Sequence, residues 1–415
     1  MTGAANAHDA ERMSVLAVAG LFAVNGALVG GVGATLPAMR VRLGVDPGGL
    51  AVVLVSLAAA AVVSMQIGGR LADSRGARNV VLPASALLVG GVVFLAFAPT
   101  LPVAAAAAAL AGLGNGAMDV SMNALGVGVE EARGEPVMSR LHASFSIGNL
   151  IAAGAVLLVA RLAGDGARVI TPALLMLCAV SVVALVAISR RVASGLGEVR
   201  AKALVSSAQP RAAGRRVPAF ALLLGAMAFS FGLAEGTAVD WSSVHVTDVA
   251  LVDPSTGALG LVAVSSFMIV IRLFGDRAVA SFGRVNLVRF GGLVAAGGYL
   301  VTLTGRSLPF VLIGWALVGL GVGMIAPQVY AVAGHAGGGR MLAIVVTFGY
   351  GAFLIGPAIV GALIRAVGIR HAMAFPLVLS LVLVALSRVL SRSGPWEDGG
   401  RPASLAIPES PRILR

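Results

Sequence analysis

Apolar runs of about 20 residues, each long enough to cross a hydrocarbon core of roughly 30 Å as a helix, recur twelve times between Val15 and Leu390. They cover approximately residues 14–38, 48–69, 79–98, 102–128, 141–163, 168–190, 218–247, 256–275, 285–305, 308–334, 341–365 and 370–391, and are numbered helices 1 to 12 in chain order. With 58% hydrophobic and 12% charged residues and a mean hydropathy of +0.96, the chain has too little polar surface to cover a water-soluble domain. In lipid every backbone polar group needs an internal partner, so helices are the expected element. The first run is longer than a signal-peptide core and passes directly into the next, which makes it a retained helix. The 55 glycines then read as close helix packing and not as loops.

The formal net charge of +12 has topology as its simplest source, not nucleic acid. If the N-terminus is inside, 23 Lys and Arg fall on inside segments; the seven outside are Arg40, Arg42, Arg161, Arg168, Arg306, Arg365 and Arg370. That predicts a multi-pass inner-membrane protein with both termini cytoplasmic. The expected organisation is a cytoplasmic N-terminus (1–13), a six-helix bundle (14–190), a cytoplasmic linker (191–217), a second six-helix bundle (218–391) and a disordered cytoplasmic tail rich in Pro and polar residues (392–415). A single cysteine, Cys178, excludes an internal disulfide and reads as a packing residue.

The two bundles are related in sequence. GLGNG at Gly112–Gly116 aligns with GLGVG at Gly319–Gly323, an offset of 207 that also brings Gly68, Arg70 and Gly76 onto Gly275, Arg277 and Gly283. Phe145 and Gly148 match Phe353 and Gly356 at offset 208. A duplicated six-plus-six arrangement is one in which two halves rock about a central site.

Polar groups inside a bilayer are costly, so their distribution marks a pathway. Helix 4 carries Asn115, Asp119 and Asn123 at i, i+4 and i+8, a stripe on one face. Helix 1 carries Asn25, helix 7 Glu235, and helix 10 Gln328 and Tyr330, whereas helices 3, 6 and 12 have little beyond isolated Ser or Thr. Helices 1, 4, 7 and 10 hold equivalent places in a three-helix pattern nested in the six, so the polar stripe is expected to face a shared cavity. The amides serve equally as interhelical glue. A carboxylate is penalised as the charged form in low dielectric, which makes Asp119 and Glu235 the candidates for proton coupling. Asp240, Trp241 and His245 at the outer end of helix 7 would shape a substrate entrance, or Trp241 would be an interfacial anchor. Ser139, His142, Ser146 and Asn149 form a stripe starting helix 5 that either lines the cavity or satisfies the end of helix 4 at Glu130 and Glu131. Arg272, four residues before Asp276, reads as an intrahelical or inter-half ion pair in preference to a substrate clamp.

The loop after helix 2 reads GGRLADSRGARNVV. It resembles the signature loop of the major facilitator superfamily, with Gly69, Asp73, Arg75, Gly76 and Arg78 at the matching positions and the Asp-Arg pair spaced one residue wider. The resemblance implies a gating loop in which Asp73 bonds near the cytoplasmic start of helix 11, a contact broken on inward opening. AGLGNGAMDVSMNALGVGVE, MSRLHASFSIGN, AEGTAVDWSSV, APQVYAVAG and TFGYGAFLIGP resemble the MosC-like branch, whose namesake is associated with transport of an inositol-derived rhizopine; the fucose permeases are more distant. Sugar-proton symporters of the superfamily commonly carry an acid in helix 1. Its place is taken by Asn25, leaving Glu235-Gly236 of helix 7 opposite Asn25-Gly26.

These features imply an all-α membrane protein of the major facilitator fold, a secondary active transporter moving a sugar, cyclitol or related polar solute by alternating access with proton coupling. Proton-driven efflux of a drug or endogenous metabolite is the alternative, and a non-transporting sensor of the same fold the second. No nucleophile-base pair, phosphate loop or metal cluster stands out, so neither enzyme activity nor a cofactor or metal is expected. The expected partners are a small-molecule substrate, protons and the lipid bilayer, with no nucleic acid and a monomeric assembly.

Overall fold

The computed structural model describes residues 2–133, 137–164, 166–195 and 219–392, and there is no strand among them. The expected linker lies outside the described residues from 196 on, as does the expected tail beyond Arg392. Twelve of the described helices are long and apolar enough to span a membrane: Val15–Leu43, Pro47–Arg75, Ala77–Ala96, Leu101–Glu130, Met138–Ala163, Gly166–Ser189, Ala219–Ala250, Thr256–Gly275, Arg277–Thr304, Leu308–Gly334, Ile344–Ala372 and Ala374–Ser391. Several outrun their apolar stretches because polar ends stay helical: Arg40 and Arg42 belong to the last turns of helix 1, and Arg365 and Arg370 to those of helix 11.

Local chemistry sets the turns. Asp46 caps helix 2 by accepting from the Gly49 N–H at 2.9 Å, and Pro47 begins the helix where a missing N–H costs nothing. Glu130, at the end of helix 4, accepts from the N–H groups of Val137 and Met138 at 2.7 and 3.1 Å and so caps helix 5. Gly76 and Gly283, paired by the repeat, both have positive φ, 87° and 73°, and both reverse the chain after the second helix of a three-helix unit.

The repeat persists in packing. A Cβ on Gly112 would strike the Leu57 carbonyl, and one on Gly319 the Val264 carbonyl; Gly114 abuts Leu88 and Gly321 abuts Ala295; Gly91 abuts Ala111 and Gly298 abuts Val318. Each pair of partners is separated by the same 207 residues as the glycines. The glycine-lined seams of helix 4 against helices 2 and 3 are therefore reproduced by helix 10 against helices 8 and 9. Cys178 is buried with its thiol 3.9 Å from the Val89 carbonyl, in the seam between helices 6 and 3.

At the face predicted to be external, the halves are tied together. Arg40 of helix 1 makes a two-pronged ion pair with Asp248 of helix 7. Arg365 of helix 11 reaches Asp46 at 3.2 Å, and Gly33 of helix 1 packs on the Val239 carbonyl of helix 7. Apolar side chains of helices 1 and 5, including Ala34, Ala153 and Val156, cluster there with Ala258 and Leu261 at the start of helix 8.

Candidate functional site

The helix 4 stripe points at both halves. Asn115 accepts from the Asn25 amide at 2.9 Å, fixing helix 1 to helix 4. One turn on, the Asp119 carboxylate accepts from Asn123 at 3.2 Å and, on its other oxygen, from the Tyr350 hydroxyl of helix 11 at 3.3 Å. Tyr330 of helix 10 lies within electrostatic reach of both Asp119 and Glu235, packed edge-on against Phe231 with ring centroids 5.5 Å apart.

A buried guanidinium forms the second centre. Arg272 of helix 8 donates through Nη2 to Glu235 of helix 7 at 2.8 Å and through Nε to the Gly323 carbonyl of helix 10 at 3.2 Å. Its Nη1 crosses to the other half, donating to Ser146 Oγ at 2.7 Å and the His142 carbonyl at 3.3 Å on helix 5. A planar fork of donors joins four helices in this way, which a single-point cation cannot do. The ion pair is thus with Glu235 inside the same half, and the link between halves is a set of hydrogen bonds; the Asp276 side chain lies outside the described residues.

Other expected residues scatter. Gln328 is buried, with no side-chain hydrogen bond among the described residues. Asn149 is 1% exposed, wedged against Gly30 in the helix 1/5 seam, with its Oδ1 unpartnered. Trp241 is 1% exposed, inside the C-terminal half and not at an entrance. His245 accepts from the Trp315 indole N–H at 3.3 Å, and the Tyr299 hydroxyl donates to the Ala234 carbonyl at 2.5 Å. Asp240 lines a small cavity between helices 7 and 11. In the expected gating loop, Gly69 is buried, Asp73, Arg75 and Arg78 are exposed, and the Asp73 carboxylate has no hydrogen bond among the described residues.

Sequence reasoning missed Tyr350, and it read Arg40 only as a loop charge, without its partner Asp248. An arginine within an apolar helix was a usable signal for Arg272; for the other contacts the partners are too far apart in the chain to be inferred.

The family model of the Major Facilitator Superfamily matches residues 18–336. The chain belongs to the major facilitator superfamily. It is 32% identical over 361 residues to a protein of Sinorhizobium fredii described as the uncharacterized transporter y4wD, covering 85% of this chain and 92% of that one. Membrane protein MosC of Rhizobium meliloti is 27% identical over 94% of this chain and 93% of its own. Among solved structures, a D-xylose-proton symporter superposes with a TM-score of 0.69 at 15% identity, covering 92% of this chain and 98% of the symporter. The nucleoside transporter NupG, in a mutant form, gives 0.67 at 13%, covering 92% and 100%. The membership and the shared fold make this facilitator a multi-pass membrane protein of a transporter family, not an enzyme, with a small-molecule substrate.

Proposed function

We propose that this facilitator is a secondary active transporter that carries a small polar organic solute, such as a sugar or cyclitol, across the inner membrane by proton-coupled alternating access, with both termini cytoplasmic. The observation that carries this reading is the pair of polar links between halves: Asp119 to Tyr350, and Ser146 to the Arg272–Glu235 pair. Each link joins a carboxylate, directly or through Arg272, to the opposite half, so proton binding and domain movement are connected by contact. A proton on Glu235 would leave Arg272 buried without its counter-charge, a costly state, and rearrangement of Arg272 releases helix 5. A proton on Asp119 weakens the bond that Tyr350 donates, since a neutral acceptor is poorer than a carboxylate. The resemblance to the MosC-like branch and the amides of Asn25, Asn115 and Asn123 favour a hydroxylated solute. The ties at the predicted outer face and the Asp73 carboxylate, unbonded among the described residues, agree with a state closed outward.

The test is flux of radiolabelled myo-inositol and a panel of pentoses and hexoses into reconstituted vesicles under an imposed pH gradient. Uptake that rises with the gradient and collapses with a protonophore is the expected result; solute flux indifferent to both removes the coupling. Asp119→Asn and Glu235→Gln are expected to depress flux more than they depress the amount of protein in the membrane.

A further inference from the structure

Helices 2 and 11, one from each half, meet toward the predicted outer face along small residues. A Cβ on Gly361 would stand 2.4 Å from that of Ala51, so the two helices touch there. The same two residues line an open groove of about 610 Å³, walled by Val52 and Val55 on one side and Ala358 and Ala362 on the other. Val52, Ala358 and Ala362 are exposed. Helices 1 and 7 close the centre of the molecule toward this end, Gly33 on Val239 and Arg40 on Asp248, so the exposed flank faces lipid. Ser56, at the inner end of the groove, already donates its hydroxyl proton to the Val52 carbonyl at 2.8 Å. From Gly48 to Ser56 the groove runs for roughly 12 Å of helix, most of one leaflet of a hydrocarbon core roughly 30 Å thick. Its mouth is charged. The Arg365 side chain lies across Gly48, where a Cβ would strike its Cδ at 2.5 Å, and its Nε stands 3.2 Å from Asp46 Oδ2. The two Nη groups donate to no acceptor among the described residues, and the side chain is 63% exposed. Asp46 is half-exposed, its other oxygen holding the Gly49 N–H.

We infer that the helix 2/11 groove binds one phospholipid of the leaflet at this face, with an acyl chain in the groove, the phosphate on Arg365 and a headgroup donor, ammonium or hydroxyl, on Asp46. The free edge of a guanidinium suits two phosphate oxygens at once. Arg365 and Asp46 side by side set a cation next to an anion, which matches a phosphate followed by a donor. Inorganic phosphate would meet Asp46 and leave the apolar walls uncovered. A free polar solute would set its hydroxyls against alkyl side chains that return no hydrogen bond. A chain of methylenes under a phosphodiester fits both parts. Because each wall belongs to a different half, parting of the halves at this face would open the groove and release the lipid, so bound lipid favours the closed arrangement. The site rests on the fold lying in a membrane, and not on the transport reading.

Native mass spectrometry of the full chain in detergent supplies the readout, during titration with phosphatidylethanolamine, phosphatidylglycerol and phosphatidylcholine of identical chains. Saturable retention of one lipid per chain is expected for the first two. Phosphatidylcholine, which has the phosphate but no headgroup N–H or O–H, should bind several-fold more weakly. Ala362→Phe, which fills the groove, should abolish retention, and Arg365→Gln should weaken it several-fold. Asp46→Asn, which can still cap helix 2, should erase the preference over phosphatidylcholine. Phosphatidylglycerol with a diazirine midway along one chain, photolysed on the bound sample, should mark residues 48–56 and 358–366. No saturable retention, equal retention of all three lipids, or marking spread evenly over the helices overturns the site, as does retention undiminished in Ala362→Phe and Arg365→Gln. If Ala362→Phe does not fold, undiminished retention in Arg365→Gln overturns it. A dimer that carries no lipid gives the groove to a second copy and overturns it likewise.

Discussion

The seam between helices 1 and 5 and its counterpart between helices 7 and 11 descend from one repeated unit, yet they have been built to opposite ends. In the first, Gly26 abuts the Phe145 carbonyl, Gly148 abuts backbone of helix 1, and Gly30 abuts Asn149, so that no added carbon fits. In the second, a Cβ on Gly236 would come no closer than 3.4 Å to the Phe353 ring, and one on Gly356 would stand 3.6 Å from Leu233. Beside the tight seam helix 1 makes a neutral amide pair with helix 4, Asn25 to Asn115; beside the loose one helix 7 makes a charged pair with helix 8, Glu235 to Arg272. Both halves keep the close backbone contacts of Gly112 and Gly319 and of Gly114 and Gly321 on helices 4 and 10. At this seam one half is packed tightly, while the other has the Arg272–Glu235 ion pair close by and leaves space beside it.

Removing a single charge puts this contrast under the greatest load. Arg272→Met leaves Glu235 buried without its partner, and it is expected to cost about 3–5 kcal/mol in denaturant unfolding in detergent; Glu235→Gln combined with it should restore most of the loss. Asn25→Ala, the corresponding cut in the other half, should cost only about 1 kcal/mol. Equal costs would mean that the charge asymmetry has no energetic content. Next in size is steric occupancy. Gly26→Ala is expected to destabilise by about 1–3 kcal/mol through overpacking, whereas Gly236→Ala should be neutral or gain up to about 0.5–1 kcal/mol from the lower entropy of a helical alanine; thermal midpoints of the two variants decide it. The smallest stability effect belongs to the outer tie. Arg40→Ala removes a partly exposed ion pair, so it should shift stability by less than about 1 kcal/mol. The same variant should raise several-fold the rate at which an impermeant maleimide labels Ala34→Cys in a Cys178→Ser background. Unchanged labelling would show that the tie does not hold the outer face shut.

Helix number and the helix 4 stripe were legible in the chain because both are periodic, one with the thickness of a bilayer and the other with the turn of a helix. The duplication was legible because glycines at close backbone contacts admit no substitute, and Gly112 and Gly319 meet carbonyls 207 residues apart. What periodicity cannot carry is pairing across the fold. Tyr350 lies 231 residues from Asp119, and Ser146 lies 126 from Arg272, and nothing in local composition joins them. Trp241 was misplaced for a related reason. An aromatic next to an acid near a helix end suits an interface or an entrance, and only packing across the fold leaves it 1% exposed, near Phe353 and Pro357 of helix 11. Glu130 shows the opposite case: a polar residue at a helix end has a local role, here accepting from the Val137 and Met138 backbone N–H groups and not from the stripe of helix 5 side chains expected to satisfy it.

The lone cysteine has a practical consequence. Cys178 is buried between helices 3 and 6, 4% exposed, with only a distant carbonyl beside its thiol, so neither water-borne nor lipid-borne maleimides reach it readily. A second cysteine at an exposed position such as Leu251, 89% exposed in the turn after helix 7, would take a probe almost alone. The molecule is therefore a nearly silent background for optical or magnetic reporters, on which the opening of each face becomes a distance that can be followed in time.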